Sequence, residues 1–241
     1  MIKGAIFDLD DTLYNYKDIN EIAINKVCEY ICKQLNIDKN TFYTAFELGR
    51  ENTKKFMTYD CAAKHNRIIY FQKTLESLGV NPIAYALEMY DIYWNTMLET
   101  MELNCGVIEL FEYLKRNKIK IAVCTDLTTH IQHRKLRKLG IDKYIDCIVT
   151  SEEAGFEKPN PIMFKLCLDK LGLQPQETFY VGDSFKKDII GAYNMGSAPI
   201  WFAEKENYII NKDIEFEHIK SITEVINIVE KQLRGIYEEP I

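Results

Sequence analysis

The apolar run IKGAIF at residues 2–7 is followed at once by Asp8-Leu9-Asp10-Asp11-Thr12. Two acids at the end of a buried strand, Asp8 and Asp10, carry a desolvation cost that a turn or a helix cap does not explain. Three later apolar runs end in a comparable way. Thr125-Asp126 closes IKIAVCT at 119–125. CIVTS at 147–151 is followed by Glu152 and Glu153 and then by Lys158-Pro159-Asn160-Pro161. TFYVGD at 178–183 ends in Gly182-Asp183-Ser184, with Lys186, Lys187 and Asp188 behind it. Crowded carboxylates repel unless a cation neutralises them. Oxygen ligands without a nearby His or Cys select a hard ion such as Mg²⁺. A metal beside a carboxylate and a lysine makes a pocket suited to a phosphoryl group. No GxxxxGKS/T or GxGxxG loop is present, so phosphate has to be held by the metal, Lys158, Thr125 and backbone amides.

The elements that must position these residues follow from hydrophobic periodicity. Short apolar runs at 2–7, 119–125, 147–151, 178–183 and 198–202 read as buried strands. Helical spacing fills the intervals at 107–116, 129–139, 161–171 and 186–195, with a terminal helix near 221–233; Gly140, Gly172 and Gly196 stand at helix ends. Strands alternating with helices predict an α/β protein, a Rossmann-like parallel sheet with helices on both faces. In such sheets ligands bind at the carboxyl ends of the strands, which is where the acids, Thr125 and Lys158 fall. Between the first two strands the sequence is helical throughout, with stretches at 40–57, 60–78 and 83–101 after a first helix carrying Ile19, Ile22, Ala23, Val27, Tyr30, Ile31 and Leu35. The expected organisation is an α/β core of residues 1–16 and 103–241 with an all-helical insertion at 17–102. Residues 235–241 read as a frayed tail.

Composition narrows the class. The chain has 241 residues, 47% of them hydrophobic, and a net charge of −6. The apolar fraction excludes a disordered chain, and the acidic balance argues against nucleic acid or an anionic membrane surface as partner. No run approaches a membrane span and no signal peptide is evident, which predicts a cytoplasmic protein. Seven cysteines, with no CxxC pair, read as buried thiols.

DLDDT, the Thr125 strand end, Lys158 with its prolines, and GDSFKKD resemble, in order, the four motifs of the haloacid dehalogenase-like (HAD) hydrolases. The resemblance spans almost the whole chain, and the insertion site is similar to that of the subgroup with a helical cap after the first strand. It implies a HAD-like core with a cap, Mg²⁺ as cofactor, and a small phosphorylated metabolite, of the nucleotide or sugar phosphate class, as partner of a monomer or homodimer. It further implies that Asp8 is the nucleophile, forming an aspartyl-phosphate. Asp10 is general acid and then base. Asp8, the backbone carbonyl of Asp10 and Asp183 hold the metal, with Asp188 behind them. Thr125 and the amide of Asp126 bind phosphoryl oxygens, while Lys158 neutralises charge on them and orients Asp8. The members that cleave carbon–halogen bonds lack the second Asp, so Asp10 favours phosphoryl transfer. Asp11 stands where many members have Gly.

The expected function is a Mg²⁺-dependent phosphatase, with a nucleoside monophosphate as first candidate substrate. The alternatives are a phosphomutase of the same chemistry and a receiver-like phospho-accepting module; the long helical insertion speaks against the last. Elsewhere the structural reading prevails. His130 and His133 are expected at the surface or facing substrate, and Lys64, His65 and Arg67 on a solvated helix face, with a basic group for the anionic substrate as the alternative. Tyr85, Tyr90, Tyr93 and Trp94 are expected to pack within the insertion, with Tyr14 and Tyr16 nearer the substrate.

Overall fold

The computed structural model describes residues 1–57, 59–203 and 214–234. Six parallel strands form one sheet: β1 (Gly4–Phe7), β2 (Lys120–Thr125), β3 (Cys147–Thr150), β4 (Thr178–Gly182), β5 (Ala198–Phe202) and β6 (Glu217–Ile219), in the order β3-β2-β1-β4-β5-β6. The order reverses at β1, so the crevice between β1 and its neighbours β2 and β4 is the topological switch point. β1 is buried along its whole length, as its unbroken apolar run requires of a strand covered on both faces.

Helices α1 (Tyr16–Leu35), α2 (Lys39–Phe56), α3 (Arg67–Ser77) and α4 (Ala86–Thr100) lie between β1 and β2. The remaining helices, α5 (Val107–Arg116), α6 (Thr129–Lys138), α7 (Ser151–Ala154), α8 (Pro161–Leu171), α9 (Ile190–Met195) and α10 (Glu224–Arg234), accompany the later strands. Side chains alternate along β1. Ile6 packs with Ala122, Cys124 and Tyr180 against Phe164, Cys167, Leu168 and Ala192 of α8 and α9. Ala5 and Phe7 join Ile121, Val123, Phe179 and Val181 against Leu110, Phe111, Val225 and Val229 of α5 and α10.

The parallel α/β architecture agrees with the sequence reading, and four details correct it. The sheet has a sixth strand, β6. The helix expected at 60–78 is interrupted: a 3-10 turn at Ala62–His65 gives way to Asn66, whose side chain accepts the Ile68 N–H and starts α3 afresh. The helix expected at 83–101 likewise begins as a 3-10 turn at Pro82–Ala84, with Asn81 capping Ile83, before α4. The helix expected at 186–195 opens as a π-helical turn, Phe185–Ile189, that continues into α9. The tail expected at 235–241 lies outside the described residues. No helix among the described residues is long and apolar enough to cross a membrane.

Candidate active site

Lys158 sits at the centre of the strand ends. Its Nζ lies 2.5 Å from Asp8 Oδ1 and 2.7 Å from Asp188 Oδ1, and 3.2 Å from the hydroxyl of Tyr180. All four residues are buried. The parallel ladder brings Asp8 there, since its N–H donates to Val181 O on β4 at 2.9 Å. Asp188 is delivered by the π-helical turn, and its Oδ2 accepts the Ser184 N–H at 3.0 Å. That approach needs a glycine at the end of β4, because a Cβ on Gly182 would lie 2.4 Å from Asp188 Cγ. Asp183 completes the group: Asp8, Asp183 and Asp188 each offer an oxygen within 4.8 Å of the others.

The electrostatics show too little positive charge for this set. Burial, reinforced by Asp188, Asp183 and Asp10, pushes the Asp8 carboxyl well above its ordinary value despite Lys158. Burial, Asp188 and Asp11 push Asp183 up to about 7. Burial works against the Lys158 ammonium, but Asp188, Asp8 and Asp126 outweigh it and hold Lys158 well above the usual lysine range. Three carboxylate oxygens, with no His or Cys among them, fit a hard divalent cation by number and by donor type.

Asp10 belongs to a different set of contacts. Its Oδ1 accepts from Lys135 Nζ at 2.6 Å and from the Tyr14 hydroxyl, and its Oδ2 from Gln132 Nε2 at 3.1 Å. Burial alone would raise the Asp10 carboxyl; the Lys135 ammonium and these hydrogen bonds outweigh it and hold the group below its ordinary value. Burial in turn lowers Lys135, whose side chain is fully enclosed. The sequence reading missed Lys135 and Gln132. The signal was present: on α6 they share a stripe with Ile131 and Leu136, all four buried, so a polar and a charged side chain stand where helical periodicity calls for apolar ones.

The remaining residues support the strand-end loops. Thr125 is fully buried, its Oγ1 2.6 Å from Gln132 Nε2 and donating to Asp126 O at 3.2 Å. The Asp126 carboxylate accepts the Lys158 backbone N–H at 3.0 Å and pairs with Lys187 at 2.8 Å, so it anchors the loop that presents Lys158. Lys187 also reaches Glu157, a buried acid 3.2 Å from His65 Nε2 that the sequence reading did not single out. Leu127 is held at φ 91°, an unfavourable conformation for a leucine. Its N–H donates to Ser151 Oγ at 2.8 Å, and Ser151 Oγ donates back to its carbonyl at 3.4 Å. Nothing in the sequence marks that backbone strain. Asp11, at φ 65°, offsets its left-handed conformation by accepting the N–H groups of Tyr16 and Lys17 at 3.0 and 3.1 Å.

Other candidates fall elsewhere. Glu152 caps the Thr129 N–H at 2.7 Å and Glu153 pairs with Lys170 at 2.7 Å. His130 and His133 are exposed. The solvated face expected of Lys64, His65 and Arg67 is corrected: Arg67 is buried, and its stripe on α3 continues through Tyr70, Phe71, Thr74 and Leu75. Tyr93 and Trp94 are buried as expected of packing residues. Tyr14 is buried against Asp10.

A switch-point crevice lined by buried acids and one central lysine defines a parallel α/β protein with a polar ligand site at its strand ends. The profile of the haloacid dehalogenase-like hydrolases matches residues 5–202. A ribulose-1,5-bisphosphate 5-phosphatase of Halopiger xanaduensis is 37% identical over 86% of this chain and 87% of its own length. A glyceraldehyde 3-phosphate phosphatase of Methanocaldococcus jannaschii is 34% identical over 95% of this chain and 97% of its own. Among solved structures, a 2-haloacid dehalogenase of Pseudomonas syringae pv. Tomato superposes with a TM-score of 0.77 over 96% of this chain and 100% of its own; at 20% identity that likeness speaks for the fold alone. The chain belongs to the haloacid dehalogenase-like hydrolases. Within that family it is a phosphoric monoester hydrolase.

Proposed function

We propose that the protein is a Mg²⁺-dependent phosphatase of small sugar phosphates that works through an aspartyl-phosphate on Asp8. The observation that carries this reading is the division of the strand-end acids: Asp8, Asp183 and Asp188 share one buried oxygen cluster, while Asp10 is bonded separately to Lys135. The activities named for the two relatives favour a sugar phosphate over the nucleoside monophosphate expected first.

Asp8, Asp183 and the backbone carbonyl of Asp10 would hold the metal, with Asp188 supporting it; the ion supplies charge neutralisation on the phosphoryl oxygens. Lys158, bonded to Asp8, turns that carboxylate toward phosphorus and balances part of its charge. Thr125 and the Asp126 amide hold phosphoryl oxygens. An Asp8 oxygen attacks phosphorus in line, the ester P–O bond breaks, and the leaving oxygen takes a proton from Asp10. Lys135, 2.6 Å from Asp10, balances the charge that Asp10 carries once the proton has left. In the second half Asp10 takes a proton from the water that attacks the acyl phosphate, which restores the acid for the next turnover.

Residues 17–102 act in this reading as a cap over the core of 1–16 and 103–241, excluding bulk water from the acyl phosphate. Contacts between Glu157 and both Asp60 O and His65 tie that segment to the Lys158 loop. The test is phosphate release over a panel of phosphorylated metabolites. Turnover of sugar phosphates that EDTA abolishes and Mg²⁺ restores is expected; release from none of them, or release indifferent to EDTA, contradicts the reading.

A further inference from the structure

Arg67 is a buried guanidinium with no acid partner among the described residues. It stands at the first position of α3, where Nε donates to the Tyr93 hydroxyl at 3.2 Å, Nη1 to His65 O at 2.5 Å and Nη2 to the Tyr16 hydroxyl. These partners are neutral, and three bonds leave two of its five N–H donors unmatched. Among the described residues no carboxylate forms an ion pair with it. The rings of Tyr70, Tyr93, Trp94 and Tyr16 surround it at 5.3, 5.3, 5.9 and 6.0 Å. Such a cage offsets part of the desolvation cost but supplies no countercharge, and a buried cation is normally paired.

Its place relative to the chemistry suggests what completes it. Lys135 Nζ lies 5.8 Å from the Tyr16 ring and 5.4 Å from the Trp94 ring, two of the same rings that flank Arg67. Two buried cations therefore share one aromatic wall. Lys135 is neutralised by Asp10, the group assigned to the leaving oxygen, whereas Arg67, beside the same rings, has no ion pair among the described residues. A carbon chain running from the ester oxygen beside Asp10 along the wall would bring its far end to Arg67.

We propose that Arg67 binds a second oxyanion at the far end of the substrate, making the preferred substrate a sugar phosphate with phosphate groups at both ends. The inference rests on the phosphatase reading for its turnover but not for its binding, so the two fail separately. The guanidinium fork suits a terminal phosphate or a terminal carboxylate, and the experiment separates these.

Asp8→Asn protein, which lacks the attacking oxygen, is titrated calorimetrically in Mg²⁺ with a pentulose 1,5-bisphosphate, a pentulose 5-phosphate and a pentonate 5-phosphate. The bisphosphate is expected to bind roughly tenfold or more tighter than the monophosphate, as a charge-assisted bidentate contact would give. Adding Arg67→Gln should abolish that ratio. Equal affinity of bisphosphate and monophosphate, or a ratio that survives Arg67→Gln, overturns the proposal; a gain seen with the pentonate and not with the bisphosphate overturns the assignment to phosphate. Because Arg67→Gln removes a buried charge and can unfold the helical segment, Arg67→Lys, which keeps the charge without the fork, is titrated beside it and should retain part of the ratio; a ratio untouched by either variant overturns the proposal. In turnover, Arg67→Gln should lower kcat/KM for the bisphosphate about tenfold more than for the monophosphate. A parallel loss on both means that Arg67 only braces the fold. An Arg67-dependent binding preference with no phosphate released by the unmutated protein would leave this inference standing and remove the phosphatase reading.

Discussion

Asp8 and Asp10 are two positions apart, yet their environments push their protonation in opposite directions, upward for Asp8 through burial among acids and downward for Asp10 beside Lys135. A cation held by Asp8, Asp183 and Asp188 would reverse the push on Asp8 and leave that carboxylate ionised for attack. Asp10→Asn removes the group that hands the proton to the leaving oxygen in the proposed reaction. Phosphate release from a sugar phosphate, a poor leaving group, should fall roughly 10²–10⁴-fold, the range of general acid catalysis. An activated aryl phosphate should lose much less, and an equal loss on both would remove Asp10 from the proton path. The acids, Thr125 and Lys158 were legible in the sequence because each closes an apolar run or follows one. Lys135 was not, and Arg67 was read mainly as solvated, because a charged residue on a helix reads as solvated unless its register is compared with the apolar stripe. Both fall on that stripe, beside Ile131 and Leu136 in one case and Tyr70 and Phe71 in the other.

At the scale of elements, the end of β4 and the π-helical turn after it are fitted to each other. A methyl at Gly182 would meet the Asp188 carboxylate, which is held by Lys158, Tyr180 and Ser184 and cannot withdraw without breaking those bonds. Gly182→Ala should therefore destabilise the protein by about 1–3 kcal/mol, as overpacking in a filled site does, and depress phosphate release as well. Thermal melts with parallel assays check this; an unchanged melting temperature would mean that Asp188 is free to move. Five strands were readable because they are buried on both faces and so run unbroken in apolar residues. β6 was not: its three residues, Glu-His-Ile, carry one buried side chain, and pairing with β5 alone makes them a strand. The extra residue of the π turn was hidden for a related reason, since only the Ser184 and Asp188 contacts distinguish it from an ordinary first helical turn.

For the whole molecule, the acid cluster sets how stability responds to pH and metal. Asp183 is pushed up to about 7 and Asp8 is raised also, so the metal-free folded state holds protons that the unfolded chain has already released. Between about pH 4 and pH 7 stability should then fall as pH rises, because the unfolded state binds fewer protons across that window. Divalent metal replaces those protons. Mg²⁺ should raise the melting temperature more near pH 7.5 than near pH 5, in proportion to the carboxylates it keeps ionised. A pH-independent effect of Mg²⁺, or none, would place the ion outside this cluster.

The attack of Asp8 on phosphorus is tested most directly by acid-quenching the enzyme during turnover of a ³²P-labelled sugar phosphate and mapping the label by peptide. Acid-stable, hydroxylamine-labile label on the peptide containing Asp8, absent from Asp8→Asn, is the predicted result. Full turnover with no label on the protein, or label on a residue other than Asp8, would contradict it.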